Sequence, residues 1–87
     1  MHQVQLTQTS VEDLERLDKP VAQRILDKIN WLAENIDLID PEQLTGEWKK
    51  VYKLRVGDYR VLYTFDNVDK NIVIHLIRHR REVYKLP

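Results

Sequence analysis

The chain has 87 residues, 43% hydrophobic and 32% charged, with no cysteine and a formal net charge of zero. Such a length suits one domain over residues 1–87, burying only about 60–65% of the surface that the unfolded chain exposes, and the composition is globular rather than disordered. The lack of cysteine excludes disulfides and thiolate metal sites, and with no apolar leader or membrane-length run the expectation is a soluble cytoplasmic protein.

The first segment, HQVQLT, alternates Val4 and Leu6 against Gln3, Gln5 and Thr7, the period-two pattern of a short half-buried strand. TSVEDLERL follows; Ser10 is placed to cap a short helix, with Glu12 and Asp13 in its first turn and Val11, Leu14 and Leu17 at helical spacing. DKP breaks it, with Asp18 as the next cap and Pro20 in a first turn where its missing N–H costs nothing. Ala22, Ile25, Leu26, Ile29, Leu32, Ala33 and Ile36 then form one apolar stripe. The two helices make a helical hairpin. DLIDPEQLTGEW, with Pro41 and Gly46, reads as a loop.

From Trp48 onward the apolar period becomes two. If Gly57-Asp58 is a two-residue hairpin loop, Val56 pairs with Tyr59, Arg55 with Arg60, Leu54 with Val61, Lys53 with Leu62 and Tyr52 with Tyr63. One face then collects Tyr52, Leu54, Val56, Tyr59, Val61, Tyr63 and Phe65, fit to cover the helices. The opposite face collects Val51, Lys53, Arg55, Arg60, Leu62 and Thr64. After DNVDKN, the run IVIHLIRH supplies a further antiparallel strand; with Ile72, Ile74 and Leu76 inward, Val73, His75, Ile77 and His79 project onto the cationic face. RHRREVYKLP has room for a helical turn. The predicted fold is α+β, in the order β-α-α-β-β-β, with a small antiparallel sheet and an N-terminal helical hairpin packed on one face. Trp31 and Trp48 are expected to anchor the helix–sheet interface.

Charge follows this division. Residues 1–45 carry four Lys/Arg against nine Asp/Glu, and residues 46–87 carry ten against five, so the neutral total hides a basic C-terminal half. A basic half favours an anionic partner such as nucleic acid or an acidic protein segment. Within it, Arg55 facing Arg60 with Lys53 on the diagonal is a local conflict, since like charges opposite each other destabilise a sheet. Local rules break most often at functional sites, and arginine forks with a lysine point charge suit phosphate oxygens. The alternative is that these side chains splay into water or pair with Asp58, Asp66 or Glu82. Arg78, Arg80 and Arg81 form a second cluster expected near the same face. His2, His75 and His79 form no metal-ligand motif with the carboxylates, so no metal or cofactor is expected.

The residues YKLRVGDYRVLY and, after a further strand, RHRREVYK resemble the RelE branch of the RelE/ParE toxin superfamily of toxin–antitoxin systems. The shared pattern is Leu-Arg-x-Gly-x-Tyr-Arg with a later His-Arg-x-x-Val-Tyr, and the likeness spans nearly the whole chain. It implies a ribosome-dependent endoribonuclease that cuts A-site mRNA by attack of the RNA's own 2′-hydroxyl, without a metal, and so inhibits translation. By the same resemblance the catalytic residues are Lys53, Arg60, Arg80 and Tyr84, with Arg55, Arg78, Arg81 and Lys50 as RNA-phosphate contacts. The implied partners are a cognate antitoxin, the ribosome and mRNA, with operator DNA bound only through the antitoxin complex and no membrane. The pattern breaks at Val51, where a further lysine serves as general base. Lys50 needs a β-bulge to reach that face; the other candidate bases are Lys53, His79 and His75. The alternatives are a ParE-like inhibitor of DNA gyrase, or an inactive relative that serves as a binding module.

Overall fold

A computed structural model of the chain describes residues 1–44, 50–83 and 85. Five strands form one sheet in the order β1-β5-β4-β3-β2: β1 (Gln3–Leu6), β2 (Glu42–Gln43), β3 (Tyr52–Val56), β4 (Tyr59–Asp66) and β5 (Asn71–His79). Helices α1 (Gln8–Glu15) and α2 (Lys19–Asn35) lie between β1 and β2, and α3 (Arg80–Val83) follows β5. The architecture is the expected α+β one with two amendments. The sheet is mixed rather than wholly antiparallel, because β1 lies parallel to β5; the intervening helices allow that crossover, which a hairpin does not. The stretch read as a loop also contributes β2, a two-residue edge strand pairing Glu42 with Lys53 and Gln43 with Tyr52.

Ile25, Ile29, Leu32, Ala33 and Ile36 of the α2 stripe pack against Leu54, Val56, Val61, Tyr63, Ile72, Ile74 and Ile77 of the sheet, all but Ile77 on the face the alternation assigned to the core. Tyr63 is 1% exposed, and burial, with Tyr52 adding to it, pushes its hydroxyl up to about 12. Pro20 falls in the first turn of α2. Helix α1 is capped differently from the expectation: Thr7 rather than Ser10 is the N-cap, its side chain accepting from the Ser10 amide at 3.2 Å. Val4 packs on the core while Leu6 is 39% exposed. Trp31 is likewise 39% exposed, with the Lys28 ammonium 3.8 Å from its ring centre, so it does not anchor the helix–sheet interface. Trp48 lies outside the described residues.

The largest departure from simple alternation is in β5. Tyr63 pairs with Ile74 but Leu62 pairs with Leu76, so His75 is an extra residue in a β-bulge. Before the bulge Ile72 and Ile74 face the helices as expected. Beyond it the phase reverses: Ile77, opposite Val61, enters the core at 3% exposure, and Leu76 lies opposite Leu62 on the outer face. A regular strand would have turned Arg78 toward the core and Ile77 away from it. The bulge exchanges them, and burying an isoleucine in place of an arginine is the physical reason the regular register loses.

Candidate functional site

The β3–β4 hairpin supplies the cationic residues. Gly57 takes φ +58° at the first turn position, a conformation open to glycine at little steric cost, and the two strands pair as predicted, Arg55 opposite Arg60 and Lys53 opposite Leu62. The like-charge conflict is met by a carboxylate that the expected loop hid. Glu42 on β2 receives two hydrogen bonds from Arg55, at 3.0 and 3.2 Å, and lies 3.2 Å from Lys53 Nζ. The Arg55 fork, aided by Lys53, holds the Glu42 carboxyl below its ordinary 4.5. None of the three acids expected as partners fills this place.

Arg60 behaves differently from its neighbours. It is 7% exposed, and Nη1 donates to the carbonyls of Gly57 at 2.9 Å and Tyr59 at 2.8 Å. Two of the five guanidinium N–H donors are thereby spent on the turn itself, which fixes the direction of the remaining edge. The C-terminal cluster is tied to the same turn, because the Arg80 amide donates to Asp58 O at 2.7 Å. This bond sets the first residue of α3 beside the hairpin. Arg80 and Arg81 are exposed there.

Arg78 stands opposite Arg60 in the ladder, but its guanidinium turns to the edge of the sheet. There Nη1 donates to Asp13 Oδ2 and to Ile77 O, and Nε lies 3.9 Å from Glu82. Asp13, which the sequence placed in the first turn of a helix, is 5% exposed, and its Oδ2 also accepts from the Ile77 amide at 2.9 Å. The carboxylate thus continues the pairing of β5 past the end of β1. Lys50 is exposed at φ +66°, preceding β3. Tyr84 lies outside the described residues.

The two candidate histidines part company. His79 pairs with Tyr59 and meets its ring edge-on at 5.6 Å between centres, on the helix side rather than the cationic face, because of the bulge. Its Nδ1 accepts the Arg81 amide at 3.2 Å and so caps the turn of α3. His75 remains on the outer face, where its Nε2 lies 2.9 Å from Thr64 Oγ1. Glu42, Asp13 and Thr64 were not among the sequence-derived site residues. The extended pairing that brings Glu42 to Lys53 carries little signal in a two-residue strand.

A small mixed sheet with helices on one face and a cationic hairpin on the other, braced by a C-terminal arginine turn, is the architecture of a compact RelE/ParE-type toxin. The family model for the ParE toxin of the type II toxin–antitoxin system matches residues 4–84, and the chain belongs to that family, within the RelE/ParE toxin superfamily. Among solved structures, the toxin–antitoxin complex RelBE2 of Mycobacterium tuberculosis contains a chain 26% identical to this one, with a TM-score of 0.80 over 91% of this chain and 98% of that one. A chain of the archaeal RelE-RelB complex from Pyrococcus horikoshii is 28% identical, with a TM-score of 0.70 over 91% and 94%. The isolated E. coli RelE toxin shares the fold at a TM-score of 0.75 and 15% identity, over 98% and 93%. No curated protein matches the chain. Among the described residues, no group of three or more His, Asp or Glu side chains stands ready to hold a metal ion, and no helix is long and apolar enough to cross a membrane.

Proposed function

We propose that this toxin cuts messenger RNA in the ribosomal A site, by attack of the RNA 2′-hydroxyl on the adjacent phosphorus to give a 2′,3′-cyclic phosphate and a 5′-hydroxyl. The observation that carries the reading is the 2.7 Å bond from the Arg80 amide to Asp58 O, which sets the C-terminal arginines beside the turn between Arg55 and Arg60. Cations from two distant stretches of chain thus converge, as a phosphate in transit to a pentacoordinate dianion requires. Lys53 and Arg55 hold the backbone phosphates, Arg60 and Arg80 stabilise the phosphorane, and Arg81 adds to the field. With the Arg78 guanidinium engaged by Asp13, its share is to brace the end of β5. Tyr84, catalytic by the same resemblance, orients the nucleotide. An antitoxin with an acidic or amphipathic segment fits the cationic face and neutralises it, as toxin and antitoxin associate in the mycobacterial and archaeal complexes; operator DNA is then bound through that complex.

Primer extension on mRNA in a translating extract tests the reading. Wild-type protein is expected to leave breaks within A-site codons, and Arg80→Ala to reduce them about a hundredfold. The second reading, inhibition of DNA gyrase, is favoured by the matched family model being that of the ParE toxin; unbroken mRNA together with trapped gyrase–DNA complexes would establish it instead.

Glu42 offers a separate check, since its carboxylate competes with RNA phosphate for Lys53 and Arg55. Glu42→Gln is expected to tighten binding of a short RNA several-fold at low salt, and to change stability by less than about 1 kcal/mol because the pair is solvent-exposed. The sign with pH follows from the lowered carboxyl: the clamp is complete above 4.5 and is lost as pH falls through the lower folded value. An NMR titration of the Glu42 carboxyl carbon should therefore show a midpoint below 4.5 that returns toward it in Arg55→Ala.

A further inference from the structure

The cleavage proposed above needs a group to take the 2′ proton, and Val51 stands where the family pattern has a lysine. The structure places another acceptor on the outer face of the sheet. The β3–β4 ladder ends at the Tyr52–Tyr63 pair, with Val51 just before β3 and Thr64 just past Tyr63 on β4. Thr64 pairs with Val73, and its Oγ1 lies 2.9 Å from His75 Nε2. His75 is on β5, two strands from β3 at about 4.8 Å per strand, and its side chain reaches Thr64 on the intervening β4, on the same outer face as Lys53. His75 stays on this face through the bulge, which sends Ile77 to the core and leaves His75 with Leu76 outside.

Two other candidate bases, Lys53 and His79, are engaged. Lys53 Nζ is paired with Glu42 at 3.2 Å. The Nδ1 lone pair of His79 is occupied by the Arg81 amide at 3.2 Å. Resting on the nuclease reading, we infer that His75 is the general base of the cleavage and Thr64 its positioning residue. In the reactive tautomer Nε2–H donates to Thr64 Oγ1, and the Nδ1 lone pair is the acceptor. Nδ1 takes the proton of the ribose 2′-hydroxyl as O2′ bonds to phosphorus. The P–O5′ bond breaks, O5′ takes a proton from water, and the resulting hydroxide is neutralised by the proton that the imidazolium releases.

The test is single-turnover cleavage of mRNA on programmed ribosomes by wild type, His75→Ala, His75→Gln, Thr64→Val and Thr64→Ser, with folding followed by circular dichroism and ribosome binding by co-sedimentation. Both His75 variants are expected to bind ribosomes and to cleave about 10²–10⁴-fold more slowly. Added imidazole should restore part of the rate to His75→Ala. Glutamine retains a hydrogen-bond partner for Thr64 but no basic lone pair, so His75→Gln guards against a loss due to misfolding. Thr64→Val should slow cleavage about tenfold, by the loss of one orienting hydrogen bond, and Thr64→Ser should restore it. Wild-type rates in His75→Ala, or a slowed His75→Ala that imidazole does not rescue, would overturn the assignment while leaving the nuclease reading intact. Unbroken mRNA with the wild-type protein would overturn both.

Discussion

Asp13→Ala is expected to lower the unfolding free energy by about 3 kcal/mol, read as a lower urea midpoint at unchanged slope. The expectation rests on what the carboxylate holds. Its Oδ2 accepts from the Ile77 amide at 2.9 Å and from the Arg78 guanidinium, and Asp13 is 5% exposed. Alanine leaves a buried backbone N–H without an acceptor, at about 1–3 kcal/mol, and leaves the Arg78 charge, with its side chain 27% exposed, without its buried partner. Asp13→Asn keeps an acceptor for Ile77 and loses only the charge, so it should cost about half as much. Equal stability of Asp13→Ala and wild type would show that the edge of β5 is satisfied by water alone. Because β5 also carries His75 and leads into Arg80, the same variant should lose cleavage once partly unfolded.

Arg60→Ala is expected to reduce mRNA cleavage by about 10²–10³-fold, the effect of removing one preorganised donor from a developing oxyanion. Arg60→Lys should not restore it. The guanidinium anchors through Nη1 to the carbonyls of Gly57 and Tyr59, and in the proposed reaction its other edge meets the phosphate, whereas a lysine ammonium presents a point charge without that fork. Primer extension in the translating extract reads the rate, and urea unfolding reads the accompanying loss of the two turn hydrogen bonds, about 1–2 kcal/mol. If the loss of stability is seen with cleavage unchanged, Arg60 belongs to the turn alone.

These two residues differ in how far they were legible before the fold was known. Arg60 was placed opposite Arg55 from the Gly57-Asp58 turn and the alternation of Tyr59, Val61 and Tyr63, and the ladder has that register. Local turn chemistry and a period of two define neighbours across a hairpin without reference to the rest of the chain. Asp13 was read as a charge near a helix end, because nothing within α1 points to Ile77, 64 residues away in sequence. Glu42 was missed for a related reason: a two-residue strand has too little pattern to be distinguished from a loop.

His75 shows the limit most sharply. Alternation placed it on the cationic face, where it lies, but carried onward it also placed Ile77 and His79 there and Leu76 in the core. One extra residue reverses every side chain beyond it, and only the competition between burying Ile77 and burying Arg78 selects the bulge.

By itself, then, the sequence determined the elements other than β2, the helix-facing residues of the sheet as far as Ile74, and the hairpin register, all of which follow from short-range periodicity and turn chemistry, while its motifs carried the resemblance to a toxin family. Tertiary structure alone decided the parallel β1–β5 pairing, the Glu42 clamp, the Asp13 brace and the phase of β5 after His75. Each of those depends on where residues distant in the chain find a partner for a buried charge, an unpaired amide or an apolar surface.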